Sequence, residues 1–376
     1  MKILLVGNYI PDNQRSMQRF ATMLHEGLIA RGHEVRRIQP APTFGRAKWL
    51  SCGLLKWLAY IDKFVVFRPS LRRAASWANV VHICDHSNAM YATALRNKPH
   101  VVTCHDLLAV RGALGENTDC PASFTGKILQ RWILRSLKRA QRVVCISTAT
   151  QRDLIRLAGD EMKTRSSVVM LGVAPTLARR NGENADALAE DFPALESGRP
   201  FLLNVGSNLR RKNRDGVLRI FKKVSEQFDC DLVFAGEALS DELKRVTKEI
   251  ALNGRVIEVP HPSDELLEDL YHRAFALLYP TKYEGFGWPA IEAQACGCPV
   301  ISSQSTSIPE VVGDSALLRA PEDEQGFVTD ILRLTHDSLR DQLIARGFEN
   351  VKRFTPERMV NDYIEIYQKV CARSSN

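Results

Sequence analysis

The sequence predicts an α/β protein built from two Rossmann-like domains, and three observations carry that expectation: length, rhythm and a break near the middle. At 376 residues the chain exceeds the size at which a single hydrophobic core stops growing. Short β-branched runs alternate with helical stretches throughout, the pattern of parallel βαβ units. Residues 179–200 interrupt that rhythm with Asn-Gly, Pro-Ala and Ser-Gly-Arg-Pro punctuation and read as a linker.

Taken in order, the first half offers strands at residues 2–6, 34–38, 80–84, 100–104, 142–146 and 167–170. A periodic helix runs between the first two, from Ser16 to Arg31, and Gly32 closes it. The second half offers strands at 201–205, 231–235, 256–259, 276–279, 299–302 and 315–318. An amphipathic helix beginning at Pro356 ends the pattern. The expected domains are therefore 1–180 and 201–355, joined by a linker at 181–200, with 356–376 packing back on the first. Ligands bind such sheets at the carboxyl ends of the strands, so two facing units imply a cleft.

Composition is that of an ordinary globular protein, with 45% hydrophobic and 25% charged residues. No apolar run reaches the ~18 residues of a membrane-spanning helix. The start, Met1 to Gly7, reads as a buried strand and not as a signal peptide. The nine cysteines are scattered through apolar runs, as reduced cytosolic cysteines are. Cys296-Gly297-Cys298 has no second Cys or His cluster to complete a zinc site, so no metal is expected. A cytoplasmic protein is the reading. Residues 1–180 carry 28 Lys+Arg against 11 Asp+Glu, whereas the remainder carries 23 against 32. The basic half suits either a solvated face or docking to an anionic partner, a phospholipid surface or a phosphate-bearing acceptor. Within it, Trp49, Leu54, Leu55, Trp57 and Leu58 interleave with Lys48, Lys56 and Lys63, which fits core packing or an interfacial helix.

The most informative segment is Tyr279-Pro280-Thr281-Lys282-Tyr283-Glu284-Gly285-Phe286-Gly287-Trp288-Pro289-Ala290-Ile291-Glu292. A strand ends, two glycines let the backbone approach a ligand closely, and Pro289 suits the first helical position. Free N–H groups at such a helix start form an anion site. Two carboxylates beside it fit hydroxyl recognition, Glu284 toward a sugar ring and Glu292 toward ribose. The spacing Glu-Gly-Phe-Gly-x-Pro-x-x-Glu resembles the paired-glutamate motif of glycosyltransferase family 4, whose members are retaining enzymes of the GT-B fold. The stretches 295–301 and 308–316 are similar to the same family, and the likeness is clearest over about residues 200–320.

That resemblance implies an acceptor-binding domain at 1–180, a donor-binding domain at 201–355, and a set of residue roles. Glu284 would contact the transferred sugar and Glu292 the donor ribose, with Gly285, Phe286 and Gly287 near sugar and phosphates. In Gly206-Ser207-Asn208-Leu209-Arg210-Arg211-Lys212, cations follow a strand end where a diphosphate would lie. Arg211 and Lys212 match the family's phosphate-binding pair. Ser207 stands where many members carry arginine, and Arg210 is available in its place. His105, directly after the strand 100–104, resembles the family's sugar-contacting histidine, and Asp106 either orients it or caps the next segment. The turn at His261 resembles the family's base-contacting loop, although Ser263 there also reads as an ordinary helix cap. The first loop lacks the family's Gly-Gly pair, and Asn13, Gln14 and Ser16 either replace those contacts or cap the helix.

The implied reaction transfers a hexose from a nucleotide sugar, such as GDP-mannose or UDP-glucose, to a saccharide or lipid-linked saccharide, with retention and without metal or cofactor. A sugar-nucleotide epimerase of the same fold and a non-catalytic carbohydrate-binding protein are the alternatives. A dehydrogenase would need a G-x-G-x-x-G after the first strand, which is missing. Nucleic acid as a partner leaves the glutamate pair unexplained.

Overall fold

A computed structural model describes residues 1–44, 58–95, 97–173, 198–250, 252, 254–335 and 337–373. Most of the expected linker 181–200 lies outside the described residues, as do Lys48, Trp49, Leu54, Leu55, Lys56 and Trp57. The chain forms two compact units, Met1–Gly172 with Pro356–Asn376, and Val173–Thr355.

The first unit holds β1 (Lys2–Val6), β2 (Glu34–Ile38), β3 (Val80–Ile83), β4 (His100–Cys104), β5 (Arg142–Cys145) and β6 (Ser166–Val168). They form one sheet in the order β2-β1-β3-β4-β5-β6, parallel at each pairing. The apolar runs of the inner strands, such as Val101 and Val102 of β4, are completely buried, as expected of a sheet covered by helices on both faces. The helix Arg15–Ala30 covers one face and receives the helix Pro356–Arg373. Their approach is so close at Gly27 that a Cβ there would stand 2.4 Å from Val360. Two tyrosines on the returning helix reach polar groups on the sheet. Tyr367 bonds the His82 ring at 2.7 Å and Tyr363 meets the Thr103 hydroxyl at 2.8 Å.

The second unit holds β7 (Phe201–Gly206), β8 (Asp231–Gly236), β9 (Val256–Pro260), β10 (Ala276–Tyr279), β11 (Val300–Ser303) and β12 (Leu317–Arg319). Their order is β12-β11-β10-β7-β8-β9, again parallel. The strand expected from 315 begins two residues later, because the Ser315 N–H turns back to the Val312 carbonyl at 3.1 Å. In each sheet the strand order reverses once, between β1 and β3 and between β7 and β10. Open α/β sheets bind ligands outside the carboxyl ends at such reversals. The loops at both places hold the polar clusters described next.

Candidate active site

In the second unit the loop after β7 leads through a short turn, Arg210–Lys212, into the helix Arg214–Ser225. The loop after β10 leads into the helix Trp288–Ala295. These two loops are laced together: the Arg211 carbonyl accepts from the Lys282 N–H at 2.7 Å and the Thr281 hydroxyl at 2.9 Å. Lacing brings Arg211, Lys212 and Glu284 into one cluster. Lys212 Nζ donates to Glu284 Oε1 at 2.8 Å and to the Tyr279 hydroxyl at 2.7 Å. Glu284 Oε1 also accepts from Tyr279 at 2.7 Å and from Thr281 at 2.9 Å. Arg211 Nη1 donates to the Tyr283 carbonyl at 3.2 Å and lies 3.4 Å from Glu284 Oε2.

Glu284 is buried. Burial would raise its pKa, but the charges of Lys212 and Arg211 and the hydrogen bonds outweigh it and hold the carboxylate below its ordinary range. Burial lowers the Lys212 ammonium more than the Glu284 charge raises it. Oε1 is saturated by these donors, so it positions Lys212. Oε2, with only Arg211 at 3.4 Å, is the oxygen with lone pairs left over.

The Glu284 carbonyl and the Phe286 carbonyl both accept from the Ser307 hydroxyl, at 3.0 and 2.8 Å, which fixes the peptide planes of the 284–287 loop. Gly287 has φ +102°, and a Cβ there would also meet Ile308 at 2.5 Å. The helix starts at Trp288, with Pro289 as its second residue and not its first. Phe286 turns its ring inward, edge-on to Phe354 at 5.8 Å, so only its backbone faces the loop. Glu292 is buried on this helix and accepts from the Tyr271 hydroxyl at 3.1 Å.

Other expected donor residues divide into two kinds. Asn208 is tied into the fold, its N–H to Glu237 at 2.9 Å and its amide to the Ala238 carbonyl at 2.6 Å. Gly206 offers its carbonyl to the Glu237 N–H at 3.0 Å. Ser207 is half-buried and Arg210 is exposed. His261 sits at φ +50° directly after β9, its N–H on the Gly236 carbonyl at 2.6 Å. Ser263 caps the next helix by accepting from the Leu266 N–H at 3.1 Å.

Sequence reasoning missed Arg214. Its buried guanidinium donates to the Gly206 carbonyl (2.7 Å), the Glu237 carbonyl (2.7 Å), the Ala235 carbonyl (3.3 Å) and Asn208 Oδ1 (2.8 Å). It thereby clamps the ends of β7 and β8, and burial lowers its pKa to about 10. Gly236 completes that contact, since a Cβ there would lie 2.4 Å from the Gly206 oxygen.

In the first unit the loops after β1, β3 and β4 form a second polar cluster. Asn8 donates to Asp85 Oδ2 at 2.6 Å and to the Gln14 side chain. Asp85 also accepts from the Ser87 N–H at 3.0 Å and lies 3.1 Å from the His86 ring. Asn13 takes φ +49° and closes the Ile10–Asp12 turn. Ser16 is exposed on the first helical turn and no side chain caps that helix. His105 is buried, and its Nε2–H donates to the Cys84 carbonyl at 2.9 Å. That bond leaves Nδ1 as the bare acceptor nitrogen, without a partner among the described residues. Burial lowers the His105 pKa more than Asp85 raises it, so the ring is a neutral acceptor. Asp106 caps the next segment through the Leu108 N–H at 2.9 Å.

Asp85 and His86 were not foreseen, because a lone Asp-His after a strand carries no spacing signal. Burial opposes both charges, yet each favours the other. Asp85 lies well below the usual carboxylate range and His86 above the usual imidazole range. For Asp85 the stabilisation is present above about pH 3.9 and is lost as pH falls through its depressed native value. For His86 it is complete below about pH 6.5 and is lost as pH rises through its raised native value. Asp85→Asn should therefore bring the His86 titration, followed by NMR, down to or below the ordinary histidine value. An unmoved midpoint would uncouple the two.

Comparison with known proteins bears on both units. Residues 17–177 match the family model described as glycosyltransferase family 4, and residues 188–350 match that of glycosyl transferases group 1. The O-antigen chain mannosyltransferase B of Escherichia coli is 29% identical over 258 residues, 64% of each chain. The O-antigen chain mannosyltransferase RfbU of Salmonella typhimurium is 28% identical over 240 residues, 62% of this chain and 63% of that one. The matches thus span just under two thirds of either relative's length. Among solved structures, Anabaena HepE in complex with UDP and glucose superposes with a TM-score of 0.76 at 15% identity, over 98% of this chain and all of that one.

Proposed function

Because the chain belongs to the glycosyltransferases of family 4, with their GT-B fold, we propose that it moves a hexose of the mannose or glucose type from a nucleoside-diphosphate sugar to a saccharide or lipid-linked saccharide in bacterial-type polysaccharide assembly. GDP-mannose and UDP-glucose are the donor types. The mannosyltransferase relatives support mannose, and the solved relative's UDP and glucose support the donor class. The observation that carries the reading is the Arg211–Lys212–Glu284 cluster at the β7/β10 strand reversal, beside the start of the helix Trp288–Ala295.

When the anomeric bond breaks, negative charge develops on the leaving phosphate. Two cations and a row of helix-terminal N–H dipoles held in place beforehand stabilise it without reorganisation. That supplies the charge a metal ion supplies elsewhere, so the reaction runs without metal or cofactor. Glu284 holds Lys212 in place through Oε1 and offers Oε2 to the sugar. With Oε1 saturated and its charge held by Lys212 and Arg211, the carboxylate is poorly suited to act as a nucleophile, which favours retention by same-face displacement, the leaving phosphate taking the acceptor's proton. Glu292 binds the donor ribose, and the neutral His105 accepts a hydroxyl of the transferred sugar. A cytoplasmic location, peripheral on the inner face of the membrane, fits the free cysteines of the described residues and a lipid-linked acceptor.

A thermal-shift screen of nucleotide sugars identifies the donor, since a ligand at 100 times its Kd stabilises by about 2.7 kcal/mol. Transfer from that donor should persist in EDTA and keep the anomeric configuration by NMR of the product. Glu292→Ala should raise the donor KM with little change in kcat, as a ground-state ribose contact requires. Loss of activity in EDTA that Mg²⁺ or Mn²⁺ restores would refute the metal-free mechanism.

A further inference from the structure

We infer that the first unit docks on an anionic lipid bilayer through one face, made by residues 61–77 and the helix Phe124–Arg139. The inference borrows its motive from the lipid-linked acceptor proposed above, but its observations are independent. Among the described residues, eleven large apolar side chains are exposed, and five of them lie on these two segments. Phe124 is 80% exposed, Val65 63% and Ile128 54%, joined by Ile61 and Val66. The segments touch, Phe64 against Trp132 at 5.3 Å between ring centres, so the five belong to one neighbourhood. Together they carry nine Lys or Arg and a single acid, Asp62. That acid is buried and receives the Tyr9 hydroxyl at 3.3 Å and the Phe44 N–H at 3.1 Å.

Along the helix, Phe124, Ile128, Arg131 and Arg135 follow one another at helical spacing and are all exposed. The apolar residues take the first turns and the cations the rest. The side chains of Lys127, Arg131 and Arg135 make no hydrogen bond or ion pair within the described residues. Exposed apolar side chains rimmed by unpaired cations match the chemistry of an acidic headgroup layer over hydrocarbon. Nucleic acid would use the cations but gives no reason for Phe124, Val65 and Ile128. Arg142 and Lys63 do not contribute: Arg142 is spent on the Thr164 carbonyl and the Ser167 hydroxyl, both at 2.6 Å, and Lys63 pairs with Asp12.

That last pair places the face. Lys63 and Asp62 bind Asp12 and Tyr9, in the same loop whose Gln14 holds Asn8 at the carboxyl end of β1. A bilayer met at residues 61–66 therefore lies beside the sheet edge that carries the Asn8–Asp85 cluster, within reach of an acceptor whose saccharide projects from lipid.

The test is co-sedimentation of the whole chain with phosphatidylcholine vesicles, with and without phosphatidylglycerol. Binding is expected only to the anionic vesicles and should weaken as salt rises. Each neutralised cation should lower partitioning about fivefold, so the triple variant Lys127→Gln/Arg131→Gln/Arg135→Gln should lose about a hundredfold. Phe124→Ser/Ile128→Ser should lose about tenfold or more at unchanged melting temperature. Transfer to a water-soluble acceptor should be unchanged in these variants while transfer to an acceptor embedded in vesicles falls. Wild-type protein left in the supernatant, binding unaffected by the variants, or retention by duplex DNA in place of vesicles would each overturn the docking face. Loss of transfer to the soluble acceptor in the wild type would instead count against the glycosyltransfer reading.

Discussion

Lys212→Ala should lower kcat by about 10²–10³, the scale seen when one preorganised donor to a developing oxyanion is removed. It should also destabilise the protein by about 3 kcal/mol, because the Glu284 carboxylate stays buried after losing its 2.8 Å partner. Arg211, at 3.4 Å from the other oxygen, keeps that loss at the lower end. The two effects separate in the double variant Lys212→Met/Glu284→Gln, which removes both charges together. Its urea midpoint should recover most of the way to wild type while kcat stays low. A double variant as unstable as the single one would mean that the pair is not the source of the stability loss.

Arg214 gives the second large effect. Arg214→Ala removes a charged donor from the Gly206, Ala235 and Glu237 carbonyls at once, at a cost of about 3 kcal/mol or more by denaturant titration. Arg214→Lys should recover less than half, because one ammonium cannot span the Gly206, Ala235 and Glu237 carbonyls that the planar fork reaches. Both variants should raise the donor KM, since the clamp sets the loop that carries Arg211 and Lys212. A lysine variant with wild-type stability and KM would show that charge alone suffices there.

These two residues mark the limit of what the sequence discloses. The inner parallel strands are near-continuous buried apolar runs, as at 201–205, and all twelve expected strands form within two residues at each end, β2 and β12 included although neither holds a fully buried residue. The Glu284–Glu292 spacing and the cations after β7 were legible because loop-and-helix motifs are local in sequence. That Glu284 Oε1 serves Lys212 was not legible, since 72 residues separate them. Arg214 reads as one more charge at the start of an amphipathic helix, and only the approach of β8 turns it inward. Asp85 and Asn8, 77 residues apart, become partners only through the β1/β3 pairing. His105 could be placed at a strand end from sequence, but which nitrogen is free depends on the Cys84 carbonyl of the neighbouring strand.

The returning helix Pro356–Arg373 has a consequence for the order of assembly. The first unit is discontinuous, with Val173–Thr355 inserted between its two parts. As the chain leaves the ribosome, β1 to β6 emerge long before Tyr363 and Tyr367, which complete the polar contacts of His82 and Thr103. Until then those groups and the Gly27 surface that Val360 covers stand open to water. The inserted unit is synthesised whole and can close first, so the unit that begins the chain is the last to finish folding.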